Sequence, residues 1–147
     1  MAEKLRNLGR RIIPAWLFRR AQPIYHFLLA LTSALYYRFP ASKLTVIAIT
    51  GTKGKTTAAW LTGQFLKTLK HGQVWIAGNN RTSALDVLPN VRKGDGVVLE
   101  LSSFQLDSLA RQKISPRIAA ITNIFPDHLN RYGSMRTYAA SKAHIFK

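Results

Sequence analysis

Leu44-Thr-Val-Ile-Ala-Ile-Thr50 runs directly into Gly51-Thr-Lys-Gly-Lys-Thr-Thr57, and the reading of this pair decides the fold. The first half is a β-branched and aliphatic run without polar alternation, the mark of a strand buried on both faces of a parallel sheet. The second half is a glycine-rich turn ending in Gly54-Lys55-Thr56, and Trp60, Leu61, Phe65 and Leu69 then recur at helical spacing over 56–69. Strand, turn and helix in that order make a cradle for phosphate. The N–H groups of such a turn point into one concavity, the helix N-terminus adds positive potential, Lys55 can reach the β- and γ-phosphates, and the Thr56 hydroxyl can ligate Mg²⁺. Gly51, Thr52, Lys53, Gly54, Lys55, Thr56 and Thr57 are therefore the candidate nucleotide-binding residues, with ATP and Mg²⁺ as the expected ligands. The loop is a shortened variant, since the general pattern places a glycine where Ile49 stands. A mere tight turn would leave Gly-Lys-Thr without a reason.

Outward from this unit, short apolar runs alternate with helical stretches. His71-Gly72 ends the first helix, and strands are expected at Gln73–Ala77, Val97–Leu101 and Ile118–Thr122, with a closing helix over Met135–Phe146. The alternation predicts an α/β fold: a mostly parallel sheet flanked by helices. Ligands of such sheets bind outside the carboxyl ends of the strands, and Glu100 stands at such an end. A carboxylate inside an apolar strand is costly unless paired or metal-bound, so Glu100 is a candidate Mg²⁺ ligand, a salt bridge to one of the many basic groups being the alternative. Asp127 and His128 stand just past the fourth strand. His128 could hold a second cation, although a histidine in a loop, taken alone, is more often a surface or capping residue.

The formal net charge is +16 from 22 basic and 6 acidic side chains, and there are no cysteines. Disulfides and thiolate metal sites are excluded, and a cytoplasmic location is expected. Residues 1–43 carry a net +7 and residues 44–147 a net +9, so the domain and the segment before it are both basic. That segment sets Arg10, Arg11, Arg19 and Arg20 among Ile12, Ile13, Trp16, Leu17 and Phe18. It reads as a helical arm, serving either as an anchor on the inner face of an anionic membrane or as a packing element. Its apolar stretch 24–37 is too short to span a bilayer. Nucleic acid is not the expected partner of the basic charge, because the strands are plain aliphatic and lack interleaved aromatic and basic residues. The last residues, Ala143 to Lys147, continue a helical pattern without a stop signal, from which a longer natural chain is expected.

The three segments together, in this order, resemble the central domain of the Mur ligases from about Leu44 onward. Gly-Thr-x-Gly-Lys-Thr is similar to that family's phosphate loop, and Asp127-His128 followed by Arg131-Tyr132 to its later metal loop. Leu99-Glu-Leu-Ser-Ser-Phe-Gln-Leu106 with Gly78-Asn79 is most similar to the D-glutamate-adding members, which extend UDP-N-acetylmuramoyl-L-alanine in peptidoglycan synthesis. The resemblance implies ATP-dependent amide-bond formation through an acyl phosphate. It implies Lys55 and Thr56 on the phosphates and first Mg²⁺, Glu100 on that Mg²⁺, and His128 on a second. It further implies Lys142 as a carbamylated lysine, and Asn79 and Ser102 on the substrate side. Lys53 and Asn130 stand where the family usually has Asn and Asp. The basic arm is expected to stand in place of the family's UDP-binding domain, as in folylpolyglutamate synthases. Another amide ligase of the family, or a P-loop ATPase acting on nucleic acid, are the alternatives.

Overall fold

The computed structural model describes residues 28, 32, 35, 36, 44–69 and 72–146. Four parallel strands, β1 (Thr45–Thr50), β2 (Val74–Gly78), β3 (Gly96–Glu100) and β4 (Ile118–Ile121), form one sheet in the order β2-β3-β1-β4. The expected strands are all present, each within a residue of its expected bounds. Register places Ile49 and Gly78 on either side of Glu100, and Thr50 beside Ile121. All four carboxyl ends therefore open on the same edge of the sheet.

The alternation of β1 builds two cores. Ala48 packs with Leu101, Leu106 and Ile145 on one face, while Ile49 packs with Ala59, Val74 and Val98 on the other. Helix α1 (Lys55–Leu69) covers the second core, and α3 (Ser103–Arg111) with the 3-10 turn His144–Phe146 covers the first. Complete burial of a side chain such as Val98 contributes about 1.5 to 3 kcal/mol. The chain leaves β1 towards β2 on one side of the sheet and leaves β3 towards β4 on the other. The loop after β1 thus emerges where the connections diverge, the usual place for a ligand crevice.

Helix α1 forms as expected, but its recurring large residues do not face the sheet. Trp60, Leu61, Phe65 and Leu69 are 54 to 65 % exposed, and the helix turns Ala58, Ala59, Gly63 and Leu66 to the sheet. The cause is close approach: a Cβ on Gly63 would lie 2.3 Å from Ile76 Cδ1. Small residues let the helix axis come down onto β2, and the large ones then have no room beneath it.

Helix α3 was not anticipated, although its start signal is present. Ser102 and Gln105 form a reciprocal capping box, in which the serine hydroxyl accepts from the Gln105 N–H and the glutamine oxygen accepts from the Ser102 N–H. Short helices α2 (Ala84–Val87) and α4 (Leu129–Tyr132) precede α5 (Met135–Ala143), which tightens into the 3-10 turn where a longer α-helix was expected. Asp95 organises the opposite end of the sheet. Its carboxylate accepts from the N–H groups of Arg92 and Gln73 and from the Trp75 indole, at 2.9, 3.2 and 3.0 Å. These bonds, led by that from Arg92, hold its pKa below the usual carboxylate value against the opposing effect of burial.

The chain divides into Met1–Pro40 and Ala41–Lys147. Within the first unit Leu28, Thr32, Leu35 and Tyr36 are helical, and the Thr32 hydroxyl donates to the Leu28 carbonyl at 2.9 Å. The rest of the expected arm lies outside the described residues, as does His71. Among the described residues no helix is long and apolar enough to cross a membrane.

Candidate functional site

The loop after β1 is held by residues some seventy positions further on. The N–H of Thr52 donates to the Asn123 carbonyl at 3.0 Å, and that of Lys53 donates to Asn123 Oδ1 at 2.9 Å. The Lys53 carbonyl accepts from the Thr122 hydroxyl and the Asn123 amide at 2.8 and 3.0 Å. The Thr52 hydroxyl donates to the Phe125 carbonyl, accepts from the Phe125 N–H and lies 3.2 Å from the Tyr138 hydroxyl. Gly51 has φ +149°, and a Cβ there would lie 2.0 Å from Thr122 Oγ1, so no other residue fits. Gly54, at φ +75°, turns the chain into α1 and gives its carbonyl to the Ala58 N–H.

This leaves a division of labour along the loop. Thr52 and Lys53 use their N–H groups to fix the loop, so phosphate contacts would come from the start of α1. The N–H groups of Lys55, Thr56 and Thr57 lie in its first turn, where a helix has no carbonyl of its own to offer. Lys55 Nζ folds back to donate to the Thr52 carbonyl at 3.1 Å, across the mouth of the cradle.

Glu100 is 2 % exposed, and its Oε2 accepts from the Thr56 hydroxyl at 2.8 Å. Among the described residues it makes no salt bridge, so the ion-pair alternative has no partner. The two side chains proposed for one Mg²⁺ are therefore in contact. No group of three His, Asp or Glu side chains converges among the described residues. A cation here would draw on the hydroxyl, one carboxylate and oxygens brought by its ligand, which suits Mg²⁺ and its preference for phosphate oxygen and water.

Lys142, which the resemblance implies as a carbamylated lysine, is 2 % exposed. Its Nζ donates to the Gly51 carbonyl at 2.8 Å and lies 4.8 Å from the centre of the Tyr138 ring. Among the described residues it has no carboxylate in ion-pair contact. Burial lowers its pKa to about 8, the Lys55 charge adds to the fall, and Asp127 opposes it. Helix α5 thus carries a buried amine to the back of the loop.

His128 begins α4 with φ 51°, a left-handed conformation rare outside glycine, and makes no capping bond with its side chain. Its ring meets Phe104 edge-on at 5.2 Å, stands 6.3 Å from Tyr138, and lies 3.6 Å from the Asp127 carboxylate. Asp107 secures this corner, accepting from the hydroxyls of Ser141 and Tyr132 at 2.6 and 3.0 Å. Tyr138 is therefore the element shared by the loop, Lys142 and His128.

Asn79 and Gln105 line a cavity of about 400 Å³ beside the carboxyl ends of β2 and β3. Ser102 is the N-cap of α3, its hydroxyl engaged with Gln105. Sequence reasoning missed Thr122, Asn123 and Tyr138. The Thr-Asn pair immediately after a strand was the available signal, since β4 lies next to β1 and its exit must face the loop.

Residues 49–147 match the family model described as the Mur ligase middle domain. Over 102 residues the chain is 48 % identical to the UDP-N-acetylmuramoylalanine–D-glutamate ligase of Roseiflexus sp. (strain RS-1), an overlap of 69 % of this chain and 22 % of that protein. The protein of the same name from Caldicellulosiruptor bescii is 42 % identical over 113 residues, covering 77 % of this chain and 24 % of its own. Among solved structures, MurF from Acinetobacter baumannii resembles it with a TM-score of 0.59 at 31 % identity, over 76 % of this chain and 25 % of that one. The chain spans a quarter or less of the length of these relatives.

Proposed function

The chain belongs to the Mur ligase family through its middle domain, and from that premise we propose that it is the ATP-binding core of an ADP-forming ligase of peptidoglycan precursor synthesis. Its substrates would be UDP-N-acetylmuramoyl-L-alanine and D-glutamate, and its place the cytoplasm. The observation that carries the reading is the Thr56–Glu100 contact of 2.8 Å at the mouth of a glycine-rich loop. It pairs a hydroxyl and a buried carboxylate where a magnesium-bound triphosphate would need them.

When bound, ATP would supply the phosphoryl group that activates the acceptor's carboxylate, and Mg²⁺ would neutralise charge in the transfer. The chain's own residues do the rest. The first-turn N–H groups of α1 would hold phosphate oxygens, and Lys55, whose ammonium is bonded to the Thr52 carbonyl of the same loop, would supply its charge to them. Thr56 and Glu100 present the metal-binding oxygens. His128, beside Phe104 and Asp127, would serve a second cation.

Lys142 fits the role of a carbamate. A neutral amine attacks CO₂, the N–C bond forms, one proton leaves to solvent, and a carboxylate replaces the ammonium. A lysine with a pKa of about 8 is partly neutral at physiological pH, which an ordinary lysine is not. The carbamate would keep one N–H, enough to maintain the bond to the Gly51 carbonyl.

The test follows ADP release by the full-length gene product with UDP-N-acetylmuramoyl-L-alanine and each of a panel of amino acids. Release that requires both the acceptor and D-glutamate is expected. Release with a different amino acid would overturn the D-glutamate assignment. Hydrolysis stimulated by nucleic acid and indifferent to these substrates would overturn the ligase reading.

A further inference from the structure

The turn between β2 and α2 holds an arginine where the backbone favours glycine. Arg81 has φ 79°, in the left-handed region. Its neighbours enforce the conformation. The Gly78 N–H donates to the Thr82 carbonyl at 2.8 Å, the Asn79 N–H to the Glu100 carbonyl at 2.9 Å, and the Thr82 N–H to Asn80 Oδ1 at 3.4 Å. Gly78 is pressed so closely on β3 that a Cβ would lie 2.2 Å from the Glu100 carbonyl oxygen. On the far side, Ser83 starts α2 in a capping box with Asp86. The turn is therefore tied to the strand that carries Glu100, and an L-residue at its tip is held at a conformational cost.

The residue kept at that cost, itself exposed, is among those that line the cavity described above. Leu99 and Leu101 give it an apolar wall, and Asn79, Ser83 and Gln105 give it polar groups. Arg81 is the one charged residue among its lining. Among the described residues no carboxylate lies within ion-pair distance of the guanidinium. The nearby Asp86 accepts from the Ser83 N–H at 3.1 Å. An open recess with an apolar wall, amide and hydroxyl groups and an arginine without an ion-pair partner among the described residues suits a ligand that is part apolar and ends in an oxyanion.

We propose that Arg81 binds an oxyanion of the acceptor substrate in this cavity, a carboxylate or a phosphate, and so selects for acidic acceptors. The inference rests on the ligase reading for the identity of the acceptor. Its own content is the guanidinium contact.

The experiment measures KM for UDP-N-acetylmuramoyl-L-alanine, and the Kd for ATP, in the full-length gene product and in R81G, R81Q and R81K. Gly relieves the left-handed strain, Gln retains it without the charge, and Lys retains both strain and charge. Loss of one charge-assisted contact corresponds to about a tenfold rise in KM. That rise is expected in R81G and R81Q alike, a smaller one in R81K, and none in the Kd for ATP. N-acetylmuramoyl-L-alanine, which lacks the pyrophosphate, separates the two sources. If R81Q still raises KM with this analogue the contact is to the carboxylate, and if the effect vanishes it is to phosphate. Variants within twofold of the parent KM would overturn the proposal while leaving the ligase reading intact. An effect in R81G that is absent in R81Q would assign the change to the backbone conformation and overturn it as well. A parent protein that does not use this acceptor at all would overturn both.

Discussion

Replacing Thr56 by valine isolates one interaction, because the two side chains have nearly the same volume and no cavity is created. What disappears is the hydroxyl that Glu100 accepts at 2.8 Å. Hydrogen bonds to a charged group contribute about 1.5 to 3 kcal/mol. Glu100 is 2 % exposed and would lose its side-chain partner, which argues for the upper part of that range. Thr56, however, is exposed, so water can take part of the hydroxyl's place. The lower end therefore applies, about 1.5 kcal/mol, or a fall in Tm of roughly 6 to 12 °C for a domain of this size. Thermal unfolding of T56V, E100Q and the double variant forms a cycle, and a coupling near 1 kcal/mol is expected if the two groups touch. In a second assay, titration with an ATP analogue should show T56V weakening binding about tenfold with Mg²⁺ and little without it, while T56S behaves as the parent. Additive stabilities in the cycle, or equal losses with and without Mg²⁺, would refute the paired metal-site argument.

K55A should abolish nucleotide binding, measured by calorimetry, with an unchanged far-UV spectrum, because Lys55 reaches over the loop and contributes nothing to either core. For Asp95 the sign follows from its lowered pKa: stability is fully present above the unfolded value near 3.8 and is lost as pH falls through the folded value. D95N should therefore be less stable than the parent at pH 7 in urea unfolding, with the difference narrowing below pH 4. G63A should destabilise by about 1 to 2 kcal/mol, since the overlap with Ile76 outweighs the helix-propensity gain; a stabilised variant would show that α1 can lift from the sheet.

The strands and the loop were legible because their signals are local: aliphatic runs, glycine spacing and a Gly-Lys-Thr triplet at the head of a helix. Glu100 was legible for a different reason, since a carboxylate in an apolar strand has few affordable places to be. The buried face of α1 was not, because periodicity gives a stripe of large residues and says nothing about whether a sheet leaves room for them. Lys142 shows the same limit from the other side. On its own helix it is one of two basic residues, with Arg136, and its burial against Gly51 lies outside any local pattern. Thr122, Asn123 and Tyr138 act on a loop 69 to 86 positions away, and no window along the chain contains both partners.

That distance along the chain has a consequence for synthesis. A nascent polypeptide that has emerged only as far as α1 already contains Gly51 to Thr57, yet nothing to hold them in shape. The carbonyls of Gly51 and Lys53 find their donors only when Thr122, Asn123 and Lys142 have left the ribosome. Nucleotide should therefore not act as an early folding template, and the loop should become competent to bind it only after β4 and α5 have docked.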